Sequence, residues 1–371
     1  MPRFPFNTMP RFPSNKWPGI PGFLLAPLLT FVVPLAATAQ TQNPAAAKPT
    51  SANPASIYGP HGISPLAVRQ GVLGSCYFHA ALAAVARANP EALRLAIHGN
   101  PTAGFRVHFV SGPDELVYAE DIAYARAHNY DKSEGEWVTI LMRAFAQRKL
   151  REGMIAAVQK STILPAFLKP PALSELQNSG PLLVAYDRAI RSVVSLDGQI
   201  DRARLQAKLA QELDTLGISP AQAKAVESLL DHAGFYEELS NTVKENAEVF
   251  GAYRGMSAGG IPRSVISSFL GTAAAARVTS PLLFDQLNAL HAGGKAIVAG
   301  SKNVPPFTGH NPDWYIPGHA YTVLDYDAQT RTVTLRNPWG NHPTPDGVFQ
   351  LSLAVFQQTY LMFSYSESTS R

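Results

Sequence analysis

The chain has 371 residues, 46% of them apolar and 16% charged, with a single cysteine. Its formal charge of +4 falls to +1 once a basic leader containing Arg3, Arg11 and Lys16 is set aside, which excludes the cationic footprint of a nucleic-acid or membrane-surface binder. One cysteine excludes a disulfide framework, and the length supports one large core or two lobes.

Residues 1–39 read as a secretory signal peptide, with three basic residues and no acid, an apolar run from Phe23 to Ala37, and the small-residue site Ala37-Thr38-Ala39. The run is short for a membrane span and is interrupted by Pro27 and Pro34. Cleavage after Ala39 is therefore expected, with no integral span left behind, and no cysteine stands at that site to take a lipid. The pentapeptide MPRFP occurs at Met1 and again at Met9, so either methionine can serve as the start. Residues 40–60, rich in Pro, Ala and Ser, read as a flexible linker. The expected location is periplasmic or extracellular.

Cys76 follows Gln70 in the run QGVLGSCYF and opens the apolar stretch CYFHAALAAVARA, so the spacing predicts a helix that begins at the thiol. A helix N-terminus favours thiolate over thiol and offers N–H groups to an oxyanion. A free thiol outside the cytoplasm is exposed to oxidation, so keeping a single one points to chemistry. His79, three residues on, is expected to pack or to wall a substrate groove.

Further along, Phe105–Val110 and Glu115–Tyr118 read as a strand pair, and Glu136–Lys149 as a helix with Trp137, Ile140, Leu141, Ala144 and Phe145 on its core face. Residues of about 152–250 read as a helical insertion. There Leu205, Leu209 and Leu213, and then Val226, Leu229, Leu230 and Ala233, mark amphipathic helices around the breaker Gly217-Ile218-Ser219-Pro220. From about Val278 the pattern turns to strands at Lys295–Ala299, Tyr321–Leu324 and Thr332–Leu335.

His319 stands where one of these strands begins, and Asn337 where the next one ends. A hairpin turn centred on Ala328 pairs Val323 with Val333, Tyr321 with Leu335 and His319 with Asn337, all on one face. A register two units away keeps the face and sets His319 and Asn337 diagonally, whereas an odd register breaks the apolar match. A base and its orienting amide thus fall within reach of each other, as a thiol nucleophile requires.

These segments resemble the calpain family of papain-like cysteine proteases, in a bacterial, secreted form. QGVLGSCYFHAALAAVA is similar to the stretch around the family's nucleophile, GHAYTVLDY to that around its histidine, and LRNPWGN to that around its asparagine. EGEWVTILMRAFAQ, GAYRGMSAGGIPRSVISSFLGT and FDQLNALHAGGKAIVAGS match in the family's order, so the likeness covers roughly 64–150 and 250–365. The resemblance implies an α+β, papain-like two-lobe fold. A mainly helical lobe over 61–272 carries Cys76 and the insertion, a β-rich lobe over 273–366 carries His319 and Asn337, and 367–371 form a tail.

It further implies that Cys76 is the nucleophile, His319 the base and acid, Asn337 the group that holds the imidazole, and Gln70 an oxyanion donor beside the Cys76 N–H. Gly74, Ser75, Gly259, Gly260 and Gly318 would line the substrate cleft, with Tyr77 and Trp339 in support. Ser75 and Tyr77 stand where the family usually has an acid and a tryptophan. No cofactor is expected. Calcium, used by cytosolic relatives, lacks acidic clusters here, and Asp325 and Asp327 read as a solvated turn.

The expected activity is that of a monomeric endopeptidase acting on protein or peptide substrates through a thiolate–imidazolium pair and a thioester acyl-enzyme. A transglutaminase, deamidase or cell-wall peptide hydrolase on the same triad is the main alternative, and a non-catalytic module of the same fold the lesser one.

Overall fold

The structure, a computed structural model, describes residues 57–160, 174, 180–193, 201–219, 252–257, 259–280 and 282–367. The leader, most of the linker, the last four residues and the expected helix around Val226–Ala233 lie outside the described residues.

The helix α1 (Cys76–Ala88) begins at the predicted residue, and Tyr77 to Ala86 are buried throughout. Asn89 ends it and caps α2 (Pro90–Ala96), its side chain accepting the Ala92 N–H with Pro90 in the first turn. A three-stranded antiparallel sheet follows, β1 (Ile97–Asn100), β2 (Gly104–Val107) and β3 (Glu115–Val117), with Phe105 opposite Val117 as the strand-pair pattern requires.

After α3 (Ala119–Ala127), the tryptophan helix α4 runs from Trp137 to Lys160, well past the expected end at Lys149. The extra turns are anchored by Arg151, whose guanidinium donates to both oxygens of buried Glu115 in β3 at 3.0 and 2.8 Å. The presumed start of the insertion therefore falls inside a helix of the core.

Two described helices of the insertion, α5 (Gly180–Val193) and α6 (Arg202–Thr215), pack on each other, and α5 packs on α4. Asp201 caps α6 and Leu205, Leu209 and Leu213 bury its predicted face, while the chain turns away at Gly217, whose φ of 66° suits glycine. Helix α5 is fixed more firmly. Arg143 of α4, fully buried, donates to Asp187 of α5 at 2.6 Å, and Arg191 reaches Asp187 at 2.8 Å and Asp121 of α3 at 2.7 Å. Burial alone would raise the Asp121 carboxyl, but Arg143, Arg191 and Arg188 outweigh it and hold the pKa at about 2.

Short helices α7 (Tyr253–Ser257) and α8 (Pro262–Leu270) lead into a six-stranded antiparallel sheet. Its strands are β4 (Ala273–Arg277), β5 (Ile297–Ser301), β6 (Ala320–Asp327), β7 (Thr332–Arg336), β8 (Val348–Ser352) and β9 (Tyr360–Ser366), in spatial order β4-β9-β5-β6-β7-β8. Period-two alternation sorts its side chains. Ala296, Val298 and Ala320 join the core built around α1, whereas Ile297, Ala299, Tyr321 and Val323 face α9 (Leu283–Ala292) and α10 (Leu353–Thr359). The sheet is thus covered on both faces. Thr322 fastens it to α1 by donating its hydroxyl proton to the Ala80 carbonyl at 2.8 Å.

The β6–β7 hairpin departs from the predicted register. Its loop runs Ala328–Arg331, with Arg331 at φ 53°, so Asp327 pairs with Thr332 and Tyr326 with Val333, an odd register. Leu324 then bulges, and beyond it Val323 pairs with Leu335 and Thr322 with Arg336. The bulge returns the strands to an even register two units from the predicted one, which keeps Tyr321, Val323, Val333 and Leu335 in one core. His319 and Asn337 end as diagonal neighbours rather than an opposed pair.

Because Asp187 joins α5 to Arg143 of α4, Asp187→Ala removes the nearer carboxylate from a fully buried guanidinium and leaves it only Asp121, at 3.7 Å. Stability by chemical denaturation is expected to fall by about 3–5 kcal/mol in a single transition. A loss below 1 kcal/mol would mean that α5 is a detachable surface element.

Candidate active site

Cys76 is partly exposed at the first position of α1. The preceding residue, Ser75, occupies the N-cap position but makes no side-chain cap bond, and the backbone N–H groups of Ala320, Tyr77 and Cys76 itself favour the thiolate form of the sulfur. Helix α1 packs on β6, which begins at Ala320, the residue after His319.

His319 is held by its main chain and its ring together. Its N–H donates to Ser301 Oγ at 2.8 Å and its carbonyl accepts the Ser301 N–H at 2.9 Å, so a serine on β5 fixes the backbone. Gly318, at φ 63°, lets the chain turn into β6 beside Asn303. The ring Nε2 lies 3.0 Å from Asn337 Oδ1, which also accepts the Trp339 N–H at 3.0 Å.

That second contact decides the tautomer. An N–H at Trp339 requires an oxygen, so the Asn337 oxygen is the atom that faces the imidazole, and Nε2 must be the protonated nitrogen. Nδ1 is left with its lone pair, ready to take a proton. The Trp339 ring lies 5.2 Å from the imidazole centroid and covers this hydrogen bond.

Both groups line one cavity of about 200 Å³. Its walls include Gly259 and Gly260, which cross the Tyr77 ring so closely that a Cβ on Gly260 would sit 2.4 Å from it. Val298, Leu361 and Met362 supply apolar surface, and among the described residues no Asp, Glu, Lys or Arg lines the cavity.

The site differs from the expected one in three respects. Gln70 is buried and donates its Nε2 to the Leu73 carbonyl at 2.6 Å, so the intervening loop holds its amide and it does not line the cavity. Ser75, expected to touch substrate, is fully buried with its hydroxyl 3.1 Å from His79 Nδ1, and exposed Gly74 approaches the Ser257 carbonyl instead of lining the cavity. Tyr77, Gly259, Gly260 and Gly318 do line it.

Charge is the third difference. Burial pushes the Cys76 thiol up, outweighing the backbone N–H groups that favour thiolate. It also pulls His319 down to about 4, despite the hydrogen bond to Asn337. Both shifts favour a neutral thiol and a neutral imidazole, against the expected thiolate–imidazolium pair.

Two contributors had no sequence signal. Ser301 lies on a neighbouring strand, and buried Asp131 gathers Ser133 Oγ at 2.6 Å and Thr139 Oγ1 at 2.5 Å while standing 3.5 Å from His79 Nε2. The Asp-x-Asp of the hairpin is accounted for by local bonding. Asp327 accepts the N–H groups of Gln329 and Thr330, and Asp325 meets His291 at 3.0 Å. Among the described residues no group of three or more His, Cys, Asp or Glu side chains is arranged to hold a metal, and no helix is long and apolar enough to cross a membrane.

No family model matches the chain, and no curated protein matches it. Among solved structures it is similar to PepW from Lactobacillus rhamnosis HN001, at 12% identity over 81% of this chain and 80% of that one, with a TM-score of 0.29. A likeness of that degree decides neither fold nor activity.

The upward shift of the thiol makes Cys76 alkylation by iodoacetamide a direct readout. The rate is expected to keep rising above pH 8.5, the ordinary thiol range, because the thiolate forms late. A plateau already present between pH 5 and 7 would instead reveal a standing thiolate–imidazolium pair.

Proposed function

We propose that this chain is an exported cysteine endopeptidase of the calpain family, with a papain-like two-lobe core, that cleaves protein or peptide substrates through Cys76, His319 and Asn337. The observation that carries this reading is the Asn337 amide oxygen, shared between the Trp339 N–H and His319 Nε2. It leaves Nδ1 as a base in the cavity that also holds the chain's one cysteine. The leader over 1–39 supports export.

In the proposed reaction the thiol proton moves to His319 Nδ1 as sulfur bonds to the substrate carbonyl carbon. The resulting oxyanion is received by the Cys76 N–H at the start of α1. The imidazolium then gives its proton to the departing amine, leaving a thioester on Cys76. Water, deprotonated by the same nitrogen, attacks the thioester and restores the thiol. Asn337 keeps the ring oriented through both steps, and Trp339 keeps water from its hydrogen bond. A narrow cavity walled by glycine backbone suits an extended peptide segment better than a folded domain.

The test is incubation of the mature chain with an unstructured protein, alongside Cys76→Ala and Asn337→Ala, with products read by mass. Cleaved peptides are expected from the wild type, none from Cys76→Ala, and turnover about a hundredfold lower from Asn337→Ala. Deamidated or cross-linked products without cleavage would reassign the site to another acyl transfer.

The pH profile supplies a second check. Nδ1 must be unprotonated to act as base, so kcat/KM is expected to fall tenfold per unit below about pH 4, where His319 takes up its proton. An acid limb near 6.5, the value of a solvated histidine, would contradict the buried neutral ring.

A further inference from the structure

Directly behind the nucleophile lies a buried polar chain that the triad does not use. His79, fully buried on the first turns of α1, has Nδ1 3.1 Å from both the carbonyl and the hydroxyl oxygen of Ser75. Its Nε2 faces Asp131 at 3.5 Å, an electrostatic contact rather than a full hydrogen bond. Asp131 in turn is locked by Ser133 and Thr139, and its backbone bridges to Gln70. A helix in the core gains nothing from a histidine that an alanine or leucine would not supply, and its polar atoms must be satisfied at a cost. Its position relative to Ser75 gives it a use.

The peptide unit between Ser75 and Cys76 is planar and trans, so the Ser75 carbonyl and the Cys76 N–H point in opposite directions. The carbonyl is drawn inward by the N–H groups of Phe78 at 3.0 Å and His79 at 3.1 Å, and by the His79 ring. Whatever fixes that oxygen also fixes the opposite N–H. Ser75 has no cap bond of its own to hold the plane, its hydroxyl reaching the Leu73 carbonyl only at 3.5 Å, and Gln70, the expected second donor, gives one amide N–H to Leu73 and does not line the cavity. The aim of the Cys76 N–H therefore depends on the Ser75 plane more than it would in a site with two ready donors.

We propose that His79 is a positioning residue for the oxyanion: its single Nδ1–H, shared between the two oxygens of Ser75, adds to the helix N–H groups in fixing the Ser75–Cys76 peptide plane and aims the Cys76 N–H at the bound carbonyl. Asp131 anchors the far side of the ring. This rests on the acyl-transfer reading of Cys76 and adds to it a residue outside the triad.

Two amides separate the two sides of the ring. In His79→Asn the amide nitrogen replaces Nδ1 and keeps the contact to Ser75. In His79→Gln it replaces Nε2 and keeps only the contact to Asp131. Each is assayed for peptide turnover, for affinity toward a peptide aldehyde, whose adduct carries the same oxyanion, and for alkylation by iodoacetamide, a displacement that forms none.

His79→Gln is expected to lower kcat about ten- to hundredfold with KM within about twofold. Aldehyde affinity falls in proportion, and alkylation changes by less than about twofold. His79→Asn recovers most of the lost turnover. Ser75→Ala, a smaller change that deletes one of the two contacts, gives the same pattern at a few-fold amplitude even if the glutamine variant fails to fold. Alkylation that slows in step with kcat, or equal behaviour of the Asn and Gln variants, would overturn the proposal. A wild type that alkylates at Cys76 but neither turns over peptide nor takes up the aldehyde overturns the acyl-transfer reading itself.

Discussion

The start of a buried helix pressed against the start of a strand is the constraint from which the rest of the site follows. Cys76 opens α1 and lines the same cavity as Ala320 at the head of β6, while one turn further on the Ala80 carbonyl accepts the Thr322 hydroxyl. That hydrogen bond, between residues 242 apart in sequence, sets the helix of the thiol against the strand that follows the imidazole. Alanines at positions 80, 81, 83, 84 and 86 make the approach possible, since small side chains let helix and sheet backbones come close. Each larger apolar residue buried at this interface adds roughly 1.5–3 kcal/mol, so the alignment rests on the core as much as on polar contacts.

Burial that secures the geometry also sets the protonation. A desolvated thiol resists ionisation and a desolvated imidazole resists protonation, and both shifts run against a standing ion pair. In the proposed reaction charge would appear only as the proton moves and the sulfur attacks, with an N–H at the helix start at hand for the oxyanion. The same desolvation makes the site depend on acid conditions. His319 binds a proton near 6.5 when unfolded but near 4 when folded, so stability is full above 6.5 and declines as pH falls through that window, by about 3 kcal/mol in all.

Much of this was legible from local patterning. The helix beginning at Cys76, the core face of the tryptophan helix and the shared face of His319 and Asn337 all follow from periods of 3.6 and two. What patterning missed was set by single residues or by distance. Leu324 bulges and Arg331 adopts a left-handed turn, and together they shift the hairpin without altering its hydrophobic alternation, so an assumed symmetric turn put the pair opposite rather than diagonal. Asp131 lies 52 residues from His79, and nothing near it announces the contact. Gln70 was assigned by motif, and the motif does not show that one of its two amide N–H groups goes to Leu73, three residues away.

The distribution of buried charge separates the two halves by role. In the helical half, Asp121, Asp187, Arg143 and Arg191 neutralise one another in a closed cluster that joins three helices and draws α5 into the core. Such clusters contribute little net stability but punish any arrangement that separates them, so they specify how helices meet. The cavity at Cys76 is the opposite case: among the described residues its lining has no Asp, Glu, Lys or Arg. A fixed charge there would bias the thiol and imidazole toward one protonation state and would compete with substrate for the N–H groups at the helix start. Keeping paired charge where helices must be registered, and excluding it where a proton must move, lets one chain be rigid in its scaffold and electrically neutral at its reactive sulfur.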